Sequence, residues 1–139
     1  MFNPTRDQTR RFLIDSWRKR CERLPASALE TLAGDLIELH PEYQALLAAP
    51  DAAEREWLPA DGQINPFLHL SLHLAIEEQL SIDQPAGLRP AFEALLGRMS
   101  RHDALHVVLE ALGETIWRAQ HDGTPLDGVA YVEAVRRAH

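Results

Sequence analysis

Two histidines and a glutamate are spaced four residues apart at two separate places in this chain. The first place is the segment N-P-F-L-H-L-S-L-H-L-A-I-E-E-Q, and the second is R-H-D-A-L-H-V-V-L-E-A-L-G-E. On a helix, residues four apart share one face, with their side chains about 5–6 Å apart. Each place is therefore predicted to carry a stripe of two imidazoles and one carboxylate. The six residues are His69, His73, Glu77, His102, His106 and Glu110.

Imidazoles at this spacing can bind a single transition-metal ion, because zinc–nitrogen bonds are about 2.0–2.1 Å long. A carboxylate one turn further along can complete the ligand set, bridge to a second ion or orient a histidine. Mixed imidazole and carboxylate ligands suit iron, zinc or manganese, whereas calcium binds through oxygen. We interpret the two stripes as facing one another around one or two such ions.

The same histidines have two other interpretations. They can form a buried hydrogen-bonded network without an ion, or they can be partly exposed with no shared role. A buried polar group without a partner costs roughly a few kcal/mol, so a buried network needs an acceptor for every ring. His40, at the predicted end of the second helix, is a further candidate as a ligand or as a cation at a helix C-terminus.

The elements that position these residues are predicted to be helices. Asn65 and Pro66 are typical of a helix start, and the first stripe lies on a helix that ends near Ser81–Asp83. This helix is almost wholly apolar from Phe67 to Ile76, so we expect neighbours to pack on all its sides. The second stripe lies on a helix from His102 to Gln120 whose inward residues are predicted to be Leu109, Leu112, Ile116 and Trp117.

Helical patterns also cover most of the remaining chain, and no segment alternates with the period of two that marks a strand. Ser27 and Glu30 form a capping box for a helix whose buried face includes Leu29. We predict an all-α fold, a four- to six-helix bundle in one domain over residues 1–139. Further helical segments are predicted besides the two helices that carry the histidines. Their bounds are Thr5 to about Arg23, Ala28 to Leu39, Glu42 to Ala49, Pro90 to a kink near residues 97–101, and Asp127 to Ala138.

Composition is that of an ordinary globular protein, with 45% hydrophobic and 25% charged residues. No apolar run is long enough for a transmembrane helix, and the N-terminus lacks the apolar segment of a secretory signal. The single cysteine, Cys21, fits a reducing compartment. We therefore expect a cytoplasmic protein without a membrane partner, and the sequence does not indicate its oligomeric state.

The net charge of −7 argues against nucleic acid as a partner. Its distribution is uneven, because residues 1–23 hold seven of the 14 basic residues and three of the 21 acidic residues. This first helix region carries a net charge of +4, and the rest of the chain carries −11. The basic helix is either a docking surface for an acidic protein partner or a complement to the chain's own acidic residues.

Several blocks of the sequence are similar to one bacterial family. The blocks F-N-P-T-R, H-P-E-Y, N-P-F-L-H-L-S-L-H-L-A-I-E-E-Q-L, D-Q-P-A-G and L-G-E-T-I-W-R-A-Q resemble the proteobacterial family called domain of unknown function 1841. The resemblance implies no activity. The family pattern has a second histidine in the H-P-E-Y block, where this chain has Gln44.

A weaker similarity is to hemerythrin-like metal-binding bundles. His73 with Glu77, and His102 with His106, match two of their helix motifs, but the H-x-x-x-x-D of their last helix has no counterpart here. Likeness of this kind does not establish function.

Whether the protein is an enzyme stays open: the candidates are metal-dependent catalysis, binding of oxygen or a related small molecule, and metal storage or sensing. The rival is a non-catalytic protein-interaction module with a structural histidine network.

Overall fold

A computed structural model describes residues 6–55 and 65–138 of the chain. The described residues contain helices and connecting turns without a strand, which confirms the all-α prediction. Seven helices are present in this part, α1 (Arg6–Cys21), α2 (Ala28–Glu38), α3 (Pro41–Ala48), α4 (Pro66–Ile82), α5 (Leu88–Leu96), α6 (Arg101–Asp122) and α7 (Gly128–Arg137). The predicted cap at Thr5 lies outside the described residues.

The chain divides into two compact units, residues 1–74 and residues 75–139, and α4 contributes residues to both. The extent of a single domain over the whole chain stays a prediction. No helix in the described residues has both the length and the apolarity needed to cross a membrane.

In the first unit, α1, α2 and α3 pack on one another around a buried apolar core. The capping box predicted for α2 is confirmed: the Ser27 hydroxyl accepts from the Glu30 N–H at 3.1 Å, and the Glu30 carboxylate accepts from the Ser27 N–H at 2.9 Å. Proline disfavours helical geometry in the residue before it, so α2 ends before His40 and Pro41 opens α3. The core residues are Leu13, Ala33, Leu36, Ile37, Tyr43, Leu47, Ala52, Phe67 and Leu70.

Two predicted core positions, Leu29 and Trp117, were wrong. Thr115 of α6 is buried and its hydroxyl donates to the Ala111 carbonyl at 2.7 Å, so it faces the interior without an unpaired donor. Trp117 lies on another face, is 61% exposed and stacks on His121. Leu29, in the first turn of α2, is 46% exposed.

The basic α1 is paired to a large extent with acidic residues of the first unit. The Lys19 ammonium lies 2.6 Å from the Glu30 carboxylate, and the Arg20 guanidinium contacts Asp35 at 2.6 Å and Glu38 at 3.2 Å. These pairs favour the interpretation in which the helix complements the chain's own acidic residues. The acidic partner stays a hypothesis without support from these contacts.

In the second unit, α5, α6 and α7 pack pairwise. The predicted kink near residues 97–101 is a complete break, and Ser100 caps α6 by accepting from the Asp103 N–H at 3.1 Å. α5 begins at Leu88, two residues before the predicted start at Pro90. It begins early because the Asp83 carboxylate accepts from the Arg89 N–H at 2.9 Å and satisfies a free donor of the first turn.

Candidate metal centre

Three histidines of the first unit, His40, His69 and His73, lie together. Their ring centroids are 4.9 Å apart in all three pairs, with angles of 60–72° between the ring planes. One ring nitrogen from each lies within 4.8 Å of the other two. This triangular arrangement turns three potential ligand atoms toward a common region.

Two of the three rings come from α4, and local capping sets their register. The Asn65 side-chain oxygen accepts from the N–H groups of Phe67 at 3.0 Å and Leu68 at 3.3 Å, as the sequence predicts for an N-cap. With the helix start fixed there, His69 and His73 stand one turn apart. His73 is fully buried, and His69 is partly buried.

The third ring comes from the junction between α2 and α3. His40 is 2% exposed, and its Nδ1 lies 2.7 Å from the Leu36 carbonyl oxygen. A carbonyl only accepts hydrogen bonds, so Nδ1 carries the proton and donates it. When the ring is neutral, this contact leaves the lone pair on Nε2, the nitrogen that ligates metal when the other is held in this way.

The Nε2 atoms of His40 and His69 are 3.2 Å apart. Two nitrogens bound to one tetrahedral zinc ion, at about 2.0–2.1 Å each, are separated by about 3.3 Å. The two rings thus have nearly the separation that a shared ion requires. Without an ion, the same separation allows a hydrogen bond in which His69 Nε2–H donates to His40 Nε2.

Tyr43 lies beside two of the histidine rings. It stacks on His40 with 5.5 Å between centroids and 8° between planes, and it contacts His69 edge-on at 5.7 Å. Burial raises the pKa of the Tyr43 phenol, with a smaller contribution from the charge of Glu42. The next residue, Gln44, donates from its amide to the Ile37 carbonyl at 3.4 Å.

Apolar residues close to these histidines in the sequence belong to the buried core of the first unit. Leu36, Ile37 and Leu70 are almost completely buried in the core that also contains Tyr43. A medium of this kind strengthens electrostatic interactions and makes an uncompensated charge costly.

The remaining predicted site residues lie in the second unit. The rings of His102 and His106, both partly buried, have centroids 4.3 Å apart and an angle of 74° between planes. Both Glu77 carboxylate oxygens accept from Arg101, each at 3.0 Å, and Glu110 is exposed on α6. Participation of these residues in a metal site stays a prediction.

His40 is the residue whose place the sequence left open. It is 29 residues from His69, so helical spacing relates it to neither α4 histidine. The available signal was the H-P dipeptide at a helix end, which predicts a break but not the direction of the imidazole. Packing of the α2–α3 junction supplies that direction.

A family model described as "Domain of unknown function (DUF1841)" matches residues 5–137. The chain belongs to the DUF1841 family. This confirms the resemblance found in the sequence blocks. Neither a curated protein nor a solved structure matches the chain.

Proposed function

We propose that this DUF1841 protein binds a first-row transition-metal ion through His40, His69 and His73, with His106 as the fourth ligand. The observation that carries the proposal is the triangle of three rings with equal 4.9 Å separations. His106 is proposed from the sequence, where it occupies the same place in the second stripe as His73 does in the first. The repeated spacing of the two sequence stripes supports the same assignment.

The ligand type indicates which ion the site prefers. Among the described residues, the potential ligand group consists of histidines, without thiolate or carboxylate. Imidazole suits zinc, iron, nickel and copper, whereas manganese favours carboxylate and water. Of the three ions considered from the sequence, we propose zinc first, because of the 3.2 Å separation between Nε2 atoms, then iron, with manganese last.

The other three predicted site residues receive a supporting role in this proposal. Glu77 is held by Arg101 through both oxygens, and His102 contacts His106. We propose that Glu77, His102 and Glu110 influence the ion through neighbouring residues. Partners of this kind fix the orientation and basicity of a ligand, and their loss typically lowers metal affinity about 10–100-fold.

Metal binding is compatible with catalysis, with storage and with sensing. An ion that keeps one position for water lowers that water's pKa toward about 7, which is the chemistry a hydrolytic or hydrating enzyme needs. The residues of this chain would hold the ion, and the apolar core would limit access of bulk water. The proposal is therefore metal binding, without a commitment to a reaction.

The test is elemental analysis of protein purified without a polyhistidine tag, followed by chelation and reloading. We expect about one equivalent of zinc or iron per chain. We also expect a lower melting temperature after chelation, because an ion that binds only the folded state stabilises it. Zinc addition should restore the melting temperature. A metal-free protein that takes up neither ion and keeps its melting temperature would overturn the proposal and favour the hydrogen-bonded histidine network.

A further inference from the structure

We propose that Arg10 of α1 is the residue that positions His69 against His40, by holding the first turn of α4 in place. The role that this gives Arg10 in metal binding rests on the proposed metal site. The contacts that carry it all lie within the first unit, and they can be tested on the protein with or without an ion.

The contact between His40 and His69 tolerates little movement of α4. Their Nε2 atoms are 3.2 Å apart, close to the separation of about 3.3 Å between two nitrogens on one tetrahedral zinc ion. A nitrogen pair more than about 3.5 Å apart does not form a good hydrogen bond. The Leu36 carbonyl fixes the orientation of His40. The position of His69 must therefore be fixed equally well from the side of α4.

Arg10 contacts both α4 and the backbone that precedes it. The residue is 2% exposed, and its Nη1 donates to the carbonyl oxygens of Ala53 at 3.1 Å and Arg55 at 2.7 Å. Its Cζ lies over the ring of Phe67, 4.8 Å from the centroid. One guanidinium thus joins α1, the backbone at residues 53 and 55, and the second residue of α4.

The shape of the guanidinium suits it to this task. It is planar, carries five N–H donors in fixed directions and stacks on aromatic faces. Its plane and its donors therefore fix the two carbonyls of residues 53 and 55 relative to the ring of Phe67. A methionine in place of Arg10 would fill much of the same space, but it would hold neither the carbonyls nor the ring in a defined direction.

The contact with Phe67 sets the rotation of α4 about its axis. Successive residues of an α-helix lie about 100° apart around the axis, so a fixed Phe67 also fixes the direction of His69. Phe67 and Leu70 lie on one side of α4 and are buried in the core of the first unit. Asn65 determines where the helix begins. Arg10 determines how it is turned, and hence which way His69 points.

The experiment compares Arg10→Met with Arg11→Met, a substitution at the neighbouring, exposed residue of α1. Nitrogen-15 NMR of the metal-free proteins, at a pH where imidazole is neutral, measures the coupling between the Nε2 atoms of His40 and His69 across their hydrogen bond. We expect the coupling in the parent protein and in Arg11→Met, and its loss in Arg10→Met. His40 should stay protonated on Nδ1 in all three proteins, which shows that the α2–α3 junction is intact.

Zinc affinity is the second measurement on the same proteins. Arg10→Met should bind zinc at least about 10-fold more weakly than the parent, the effect of losing a residue that orients a ligand. Arg11→Met should keep the parent affinity. If Arg10→Met does not fold, Phe67→Leu takes its place, because leucine keeps an apolar side chain in the core and removes the ring face. We expect Phe67→Leu to lose the coupling as well.

The outcomes separate this inference from the metal site. A coupling that persists in Arg10→Met, or in Phe67→Leu when that variant is used, would overturn the positioning role, even if the melting temperature falls. Absence of the coupling from the parent protein would also overturn it. Failure of the parent to bind zinc or iron would overturn the metal site, whereas the coupling would still decide whether Arg10 positions His69.

Discussion

His40 Nδ1 lies 2.7 Å from the carbonyl oxygen of Leu36, and this contact determines which His40 nitrogen faces the other two rings. The Leu36 carbonyl is in the last turn of α2, where helix carbonyls lack partners along the helix. The side chain supplies the missing donor, and Nε2 is left with its lone pair directed toward His69. A helix-ending contact thus also orients the nitrogen that we propose as a metal ligand.

Replacing His40 or His73 by alanine should remove most zinc affinity. The loss should exceed the roughly 10–100-fold that follows removal of an outer partner, because a direct ligand disappears. The double variant should lose little more than either single variant, since effects within one site are not additive. Zinc affinity is measured by competition with a chromophoric chelator, and His121→Ala, an exposed histidine on α6, is the control.

If the histidines instead form a hydrogen-bonded network without an ion, these variants should lose stability and not zinc affinity. Each substitution would lower the free energy of unfolding of the metal-free protein by about 1–3 kcal/mol through a lost buried hydrogen bond. Added zinc would then leave the melting temperature of every variant unchanged. Normal zinc binding by His73→Ala would refute the assignment of α4 as a ligand helix.

His106 and His102 are neighbours on α6 and should behave differently. We expect His106→Ala to lose zinc to the same extent as His73→Ala, because the two residues occupy the same place in the two sequence stripes. We expect His102→Ala to lower affinity by no more than about 10–100-fold, the effect of a residue that only contacts a ligand. Equal losses in the two variants would contradict the four-histidine assignment.

Metal preference provides an independent measurement of the ligand types. An all-imidazole site should bind zinc about 100-fold or more tightly than manganese, which ranks lowest among divalent first-row ions and favours oxygen ligands. Competitive loading at equal concentrations, followed by elemental analysis, gives the ratio directly. A preference for manganese would instead indicate that carboxylates bind the ion. The sequence predicts Glu77 and Glu110 for that role.

Glu77→Gln should affect stability slightly and metal stoichiometry not at all. The substitution breaks a bidentate pair with Arg101, whose side chain is 55% exposed, so we expect a loss of about 0.5–1 kcal/mol in urea unfolding. Glu114→Gln, which breaks an exposed pair with Arg118, is the matched control and should cost less. Release of one of two bound ions by Glu77→Gln would show that this carboxylate bridges a two-metal site.

Acid should weaken the contact between α1 and α2. The hydrogen bond from Lys19, helped by the Ser27 N–H, lowers the pKa of Glu30 from 4.5 to about 2. A carboxyl group whose folded pKa is depressed contributes stability above its unfolded pKa, and that contribution is lost as the pH falls from about 4.5 to about 2. Lys19→Met should therefore flatten the dependence of unfolding free energy on pH in this range.

Urea unfolding at several pH values tests this, with Glu93→Gln on α5 as the control, because Glu93 is exposed. The control should keep the slope of the parent protein. An unchanged slope in Lys19→Met would mean that the Lys19–Glu30 pair does not contribute to acid sensitivity.

Local periodicity and capping were sufficient to predict the helical class and most helix boundaries. Ser27 with Glu30, Asn65, and the H-P dipeptide at residue 40 each act on backbone groups a few residues away. The pairing of His69 with His73 is equally local, because one turn of α4 separates them. These features depend on neighbours in the sequence, so they can be predicted without the tertiary structure.

Contacts between distant segments could not be predicted in this way. His40 joins His69 and His73 only because the α2–α3 junction packs against α4, and Lys19 pairs with Glu30 only because α1 lies along α2. Ser16 and Thr115 face the interior because each hydroxyl donates to a carbonyl four residues earlier, which allows polar residues at positions that an apolar pattern misses. Periodicity describes which face of a helix is apolar, whereas packing between helices determines which side chains meet.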